Sequence, residues 1–266
     1  MNSNGLVAVA IVAIIAAAAC VCFLGGPSDD NEPERIGIIG AMDNEVASLK
    51  EAMKVDYTKT VASMEFFVGK IGKCDVVVVQ CGMGKVNAGV CAQTLITQFN
   101  AKAVINTGVA GSLDNALDIG DFVVSTDAVQ HDFDVSPIGF EKGEIPYTGK
   151  YSFEADAKLR AKAVDAIYKS CPDVAVYEGR VCSGDQFIST SAQKDAITSS
   201  FGGLCCEMEG AAIAHICYLN DTPFVIIRAV SDKADGSSEM DYAEFEEISA
   251  KRSASAVKYL LEHGNL

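Results

Sequence analysis

From Arg35 onward, short apolar runs alternate with amphipathic stretches. Arg35-Ile-Gly-Ile-Ile-Gly40 reads as a buried strand, and Val46, Leu49 and Met53 fall on one face of a helix predicted over 44–53. Strands are predicted over 65–69 and 75–80 with a Gly-Lys turn between them, then a helix over 85–99. Further strands are predicted over 103–107, 122–125, 174–181 and 223–230, and helices over 155–169, 209–219 and 242–261. Strands alternating with helices predict one α/β domain over 35–266: a central, mixed and mostly parallel twisted sheet flanked by helices.

The first 34 residues break this pattern. Leu6 to Leu24 is a run of 19 uncharged residues, followed by an acidic Gly-Pro-rich linker. That length just spans a bilayer, so the run predicts a membrane anchor or an export signal. Ala17-Ala-Ala-Cys20 is a loose match to a lipidation site, although apolar residues continue past it. The cysteines pull the other way. Eight of the ten lie beyond the leader, mostly in apolar segments, as buried free thiols of a reducing compartment do. The compartment therefore stays open between membrane-anchored or exported and cytoplasmic.

Composition narrows the function. A net charge of −15 argues against nucleic-acid binding, which needs clustered Lys and Arg to neutralise phosphates. The three histidines show no zinc-protease spacing and no cysteine pair has zinc-finger spacing, so no metal is expected. The Gly37…Gly40 pair lacks the remaining parts of a dinucleotide fingerprint, so no cofactor is expected either.

Ligands of open α/β sheets bind outside the carboxyl ends of the strands. Five predicted strands are followed there by Gly40-Ala-Met42, Gly82-Met83-Gly84, Gly108-Val-Ala-Gly111, Ser183-Gly-Asp-Gln-Phe187 and Ser231-Asp232. Glycines at such positions let backbone approach a small ligand. Three carboxylates stand out. Taken alone, Glu45 reads as a first-turn acid that suits the helix dipole, Asp232 as a cap, and Glu209 as a solvated acid. Phe187 alone reads as core.

Together, Ile36-Gly-Ile-Ile-Gly-Ala-Met42 with Glu45, Gly82-Met-Gly-Lys-Val86, Asn106-Thr-Gly-Val-Ala-Gly111, Ser183-Gly-Asp-Gln-Phe-Ile188, Glu207-Met-Glu209 and Arg228-Ala-Val-Ser-Asp232 occur in order. This series resembles the 5'-methylthioadenosine/S-adenosylhomocysteine nucleosidases of the purine nucleoside phosphorylase superfamily, from about Arg35 to the C-terminus. The resemblance implies a three-layer nucleoside phosphorylase-like fold and hydrolysis of an N-glycosidic bond, with a place in methionine salvage. It implies Asp232 as the acid that protonates adenine N7, Glu45 as the base that activates water, and Glu209 as the carboxylate that binds the ribose hydroxyls. It further implies Phe187 and Ile188 at the purine, with Ser231 beside the acid, and Met208 and Gly111 at the ribose. Met42, Met83 and Tyr242 fall at an apolar pocket for the 5'-thioalkyl tail. In the family a neighbouring subunit closes that pocket, which implies a homodimer with the loop over 131–146 at the contact.

Phosphorolysis on the same fold needs Arg forks and amides for a phosphate dianion. The five arginines are Arg35, Arg160, Arg180, Arg228 and Arg252, and none lies in the loops after the first, third or Asn106 strands. Arg228 lies inside a strand and is expected to pair an acid. Hydrolysis is therefore the expected reaction. A purine nucleoside phosphorylase, a futalosine hydrolase and a tethered, non-catalytic nucleoside-binding protein are the alternatives.

Overall fold

Strand β1 (Arg35–Gly40) is buried along its whole length, because parallel neighbours flank it on both sides and helices cover both faces of the sheet. The computed structural model describes residues 33–266, so the anchor expected over 6–24 lies outside the described residues. After β1 come helix α1 (Asp43–Ala52), the hairpin strands β2 (Lys54–Val61) and β3 (Met64–Ile71), β4 (Cys74–Gln80) and helix α2 (Lys85–Phe99). Then follow β5 (Ala101–Ser112), β6 (Phe122–Gln130), β7 (Phe153–Glu154), α3 (Ala157–Ser170), β8 (Val176–Ser183) and α4 (Ser191–Phe201). The chain continues with β9 (Cys205–Glu207), α5 (Gly210–Leu219), β10 (Phe224–Asp232) and α6 (Ser238–His263).

The strand order is β10-β6-β8-β9-β5-β1-β4-β3-β2. Strands β10, β5, β1 and β4 form a parallel spine, and antiparallel pairings join β2 to β3, β3 to β4, β5 to β9 and β6 to β10. Because β10 pairs with both β5 and β6, strands β5, β10, β6, β8 and β9 close on one another.

Successive side chains of a strand point to opposite faces, and the core divides accordingly. Ile36 and Ile38 of β1 pack with Val46 and Leu49 of α1, Leu159 and Ala163 of α3, and Val257 and Leu260 of α6. Ile39 packs on the other face with Leu95 and Phe99 of α2 and Ile213 and Cys217 of α5. The α/β layering expected from the alternating runs is the layering observed. The cysteines of the described residues are free thiols, all buried except the half-buried Cys74. Among the described residues, no helix is long and apolar enough to cross a membrane.

Several elements differ from the predicted bounds. Strand β5 runs five residues past Thr107, through the glycines read as a loop. Strand β10 reaches Asp232, and α6 begins at Ser238 instead of 242. Strands β2, β7 and β9 and helix α4 were not predicted. In β2, Val55, Tyr57 and Val61 keep a period of two, but Lys59 interrupts it and all except Val61 are exposed, so no buried face marks that strand. Helix α4 buries Lys194, Ile197 and Phe201, a face whose first member is charged.

Candidate active site

One cavity gathers the segments at or just beyond the carboxyl ends of six strands. Ala41 and Met42 follow β1, Met83 follows β4, and Val109 to Gly111 end β5. Gln186 to Ile188 follow β8, Cys206 and Glu207 end β9, and Ser231 and Asp232 end β10. Glu45 from α1, Met208 and Glu209 ahead of α5, and Tyr242 from α6 complete the wall. Every residue singled out from the sequence as catalytic or binding thus lies on this cavity. For β1, β4, β5 and β10 that placement follows from topology, since parallel strands send their following loops to one end of the sheet. Strands β8 and β9 run antiparallel to these and reach the cavity where β9 pairs with the end of β5.

Glu45 is buried, and its first-turn position is also a capping position. Its Oε2 accepts hydrogen bonds from the amides of Ala41 (2.6 Å) and Met42 (3.0 Å). Its Oε1 accepts from the Val109 amide (3.1 Å) and lies 4.0 Å from Arg228 Nη1. The helix-cap reading and the cavity reading therefore hold together in one side chain. Burial pushes its carboxyl above the ordinary range, while Arg228 and the three amides hold it down. Gly108 shows why glycine is needed beside it. A Cβ there would lie 2.0 Å from Arg228 Nη1 and 2.3 Å from Glu45 Oε1.

Glu209 accepts from the Gly84 amide at the start of α2 (2.8 Å). Burial, and then the neighbouring Glu207, push its carboxyl up to about 7 against the pull of Arg228. Asp232 is buried at the end of β10, where Oδ1 accepts from the Ala234 amide (2.8 Å) and Oδ2 from the Ser231 hydroxyl (3.0 Å). Burial raises its carboxyl above the usual carboxylate range, and these hydrogen bonds oppose the rise. Gly111 lies opposite, where a Cβ would approach Asp232 Oδ1 to 2.8 Å.

Arg228 is 1% exposed and forms the base of the site. Its Nη2 donates to Glu207 Oε2 and to Asn106 Oδ1 (2.5 Å), and lies 3.6 Å from Glu209 Oε2. The acid expected to pair Arg228 is thus chiefly Glu207, which also accepts from the Ser183 hydroxyl and the Gly210 amide. Glu207 was not a predicted site residue. Its signal was the spacing: two residues from Glu209, it turns into the sheet while Glu209 begins the next helix. The same pairing explains why the cavity wall, among the described residues, carries carboxylates but no Lys, Arg or His.

At the mouth, Phe187 is 45% exposed and its ring meets that of Tyr242 edge-on at 5.5 Å. The Tyr242 hydroxyl donates to Met42 Sδ (3.2 Å), so its polar end turns onto the cavity wall. Burial, then Glu246, push that phenol up to about 12, and it stays a donor. A closed ring fixes the loops behind Phe187. The Lys85 amide donates to Asp185 Oδ1 (2.8 Å), the Asp185 amide to Asp132 Oδ2 (2.9 Å), and Lys85 Nζ to Asp132 Oδ1 (2.5 Å).

Comparison with known proteins points the same way. The sequence profile of the phosphorylase superfamily matches residues 35–262. The chain is 41% identical over 229 residues to the 5'-methylthioadenosine/S-adenosylhomocysteine nucleosidase of Shewanella pealeana, covering 86% of this chain and 99% of that protein. Among solved structures, the nucleosidase of Neisseria meningitidis in complex with methylthio-immucillin-A superposes with a TM-score of 0.82 at 35% identity. That match covers 86% of this chain and 99% of the other. The native futalosine hydrolase of Helicobacter pylori superposes with a TM-score of 0.81 at 32% identity, covering 86% and 97%.

Proposed function

The chain belongs to the phosphorylase superfamily, on its 5'-methylthioadenosine/S-adenosylhomocysteine nucleosidase branch, and from that premise we propose how it hydrolyses the N-glycosidic bond of these two nucleosides. The observation that carries the reading is the convergence of four buried carboxylates, of which only Glu207 is bonded to Arg228, on a cavity without a lining cation. A phosphate dianion entering it would meet Glu45, Glu209 and Asp232 with no guanidinium free to answer its charge, because Arg228 is bonded to Glu207. Water carries no charge and is admitted. The products are adenine and the 5-thioribose.

In this mechanism Asp232 gives its proton to adenine N7, and the bond between C1' and N9 breaks with positive charge developing on the ribose. Glu209 binds the ribose hydroxyls beside that charge. Glu45 takes a proton from the water whose oxygen adds to C1'. Phe187 and Ile188 hold the purine, Met208 and Gly111 line the ribose, Ser231 orients the acid, and Met42, Met83 and Tyr242 enclose the 5' tail. Electrostatic stabilisation of this kind contributes roughly 10²–10³ in rate per group.

Incubating the full chain with methylthioadenosine, with and without phosphate, tests the reaction by its sugar product. Free adenine with methylthioribose, at a rate unaffected by phosphate, is expected. A sugar 1-phosphate would transfer the chain to the phosphorylases. Turnover of a futalosine-type nucleoside in preference to methylthioadenosine would move it to the neighbouring hydrolase.

The reading includes a homodimer and an anchor. Met83, at the tail pocket, is 58% exposed, and Ile138 and Tyr147 of the segment after β6 are 73% and 102% exposed, apolar surface that suits a second copy of the chain. The uncharged run over 6–24 is long enough to hold the enzyme, which serves methionine salvage, at a bilayer. Detergent extraction followed by light scattering reads both: sedimentation with membranes until detergent is added, then twice the chain mass. A monomer, or a protein that never pellets with membranes, would remove the corresponding half.

A further inference from the structure

Lys194 is the one buried lysine among the described residues, 6% exposed on the first turn of α4. Its ammonium donates to two neutral oxygens, Asn115 Oδ1 (3.0 Å) and the Lys233 carbonyl (2.8 Å). A buried charge is costly; Asp235 lies near enough to feel this one but makes no ion pair with it, so its placement on a backbone carbonyl calls for a reason. The other end of that peptide supplies one. The carbonyl of Lys233 and the N–H of Ala234 belong to a single planar amide, and that N–H donates to Asp232 Oδ1 at 2.8 Å. Ala234 is fully buried with φ +51°, in the left-handed region that costs a residue with a Cβ about 1 kcal/mol or more. The turn is thus strained and its carbonyl is held by a cation.

We propose that Lys194 is a positioning residue for the proton donor: its ammonium pins the Lys233–Ala234 peptide in its strained turn and, through that amide, polarises the N–H that orients the Asp232 carboxyl. This rests on the reading of Asp232 as the acid. A cation on the carbonyl draws electrons from the amide and strengthens the N–H as a donor, so hydrogen bonding along this line is cooperative. It favours the ionised carboxylate and therefore makes the carboxyl a stronger acid toward N7.

The other charged and titratable groups around Asp232 leave this part to Lys194. Glu45 and Glu209 lie on the same cavity, Cys206 comes from β9, Asp241 and Tyr242 from α6, and Asp235 from its own loop. None of these is cationic. Lys233 is cationic, but its ammonium is turned to the Leu117 carbonyl and toward Asp118.

The test is the pH profile of kcat and KM for methylthioadenosine in the full chain carrying Lys194→Gln, Lys194→Arg or Asp232→Asn. Glutamine keeps an N–H donor and removes only the charge, which guards the fold; near-ultraviolet circular dichroism confirms it. For Lys194→Gln, kcat is expected to fall about tenfold with KM within about twofold, and the alkaline limb to move up by about half a pH unit. Lys194→Arg should return the limb to its wild-type position. An unmoved limb in Lys194→Gln, with kcat falling equally at every pH, would reduce Lys194 to a structural role and overturn the inference. Asp232→Asn separates the two failures. If it retains turnover, the acid assignment itself falls; if it is inactive while Lys194→Gln keeps the wild-type limb, only the role of Lys194 falls.

Discussion

Asp232→Asn should lower kcat for methylthioadenosine by about a thousandfold or more while leaving nucleoside binding within a few-fold of wild type. The amide keeps the size of the carboxyl and its oxygen can still accept from the Ala234 amide. What disappears is the transferable proton. General acid catalysis contributes about 10²–10⁴ in rate, and adenine is a poor leaving group without it. The pH dependence carries a definite sign. The acid is competent only when protonated, so activity is lost as pH rises through its pKa. Burial raises that pKa, which extends the active range to higher pH than an exposed aspartate would allow. Adenine release and calorimetric binding of the nucleoside, measured side by side, decide the matter. A variant turning over within tenfold of wild type would remove Asp232 from the acid role.

Arg228→Met should have the largest effect on stability, about 3–5 kcal/mol, because removing one partner of a buried pair strands the other. Here the stranded groups are three: Glu207, which is bonded to it, and Glu209 and Glu45 at 3.6 and 4.0 Å. For a chain of this size such a loss lowers Tm by about 10 °C. The loss should shrink as pH falls, since protonated carboxyls no longer need the cation. A second substitution, Glu207→Gln, should recover a large part of it by removing the main orphaned charge. Thermal unfolding of the single and double variants measures both effects. Equal Tm values for the two would show that Arg228 contributes by packing alone.

The fold was legible where burial dictated composition. Runs such as Val76 to Val79 are wholly buried, and nothing but apolar residues fits them. Strand β2 was not, because its Val55, Tyr57 and Val61 keep a period of two that Lys59 interrupts, on a strand that is almost wholly exposed. Strand β5 was legible only to Thr107, because glycine usually punctuates loops. Gly108 and Gly111 instead make room inside a strand for Glu45, Arg228 and Asp232. The site segments after β1, β4, β8 and β10 were legible because each follows a recognisable strand, whereas Glu207 to Glu209 come with β9, a strand of three residues too short to show a period. The Arg228–Glu207 pair was half legible: a strand-interior arginine must find an acid, but several acids were near in sequence, and register selects among them. Lys194 was beyond reach, because a lysine among Ser, Thr and Gln reads as surface until tertiary contacts bury it.

The closure of β5, β10, β6, β8 and β9 bears on self-association as well as on the site. A sheet that joins its own strands offers fewer unpaired backbone edges to another molecule, and the long one remaining at the far side is β2, which pairs only with β3. Exposed strand edges are templates for aggregation. This one is interrupted by a register shift between Val55 and Tyr57, and Lys54, Asp56 and Lys59 stand exposed along it. A strand arriving from a second molecule would have to straighten the bulge and strip water from both ammonium groups. The protein can therefore be kept at high concentration without its sheets extending into one another.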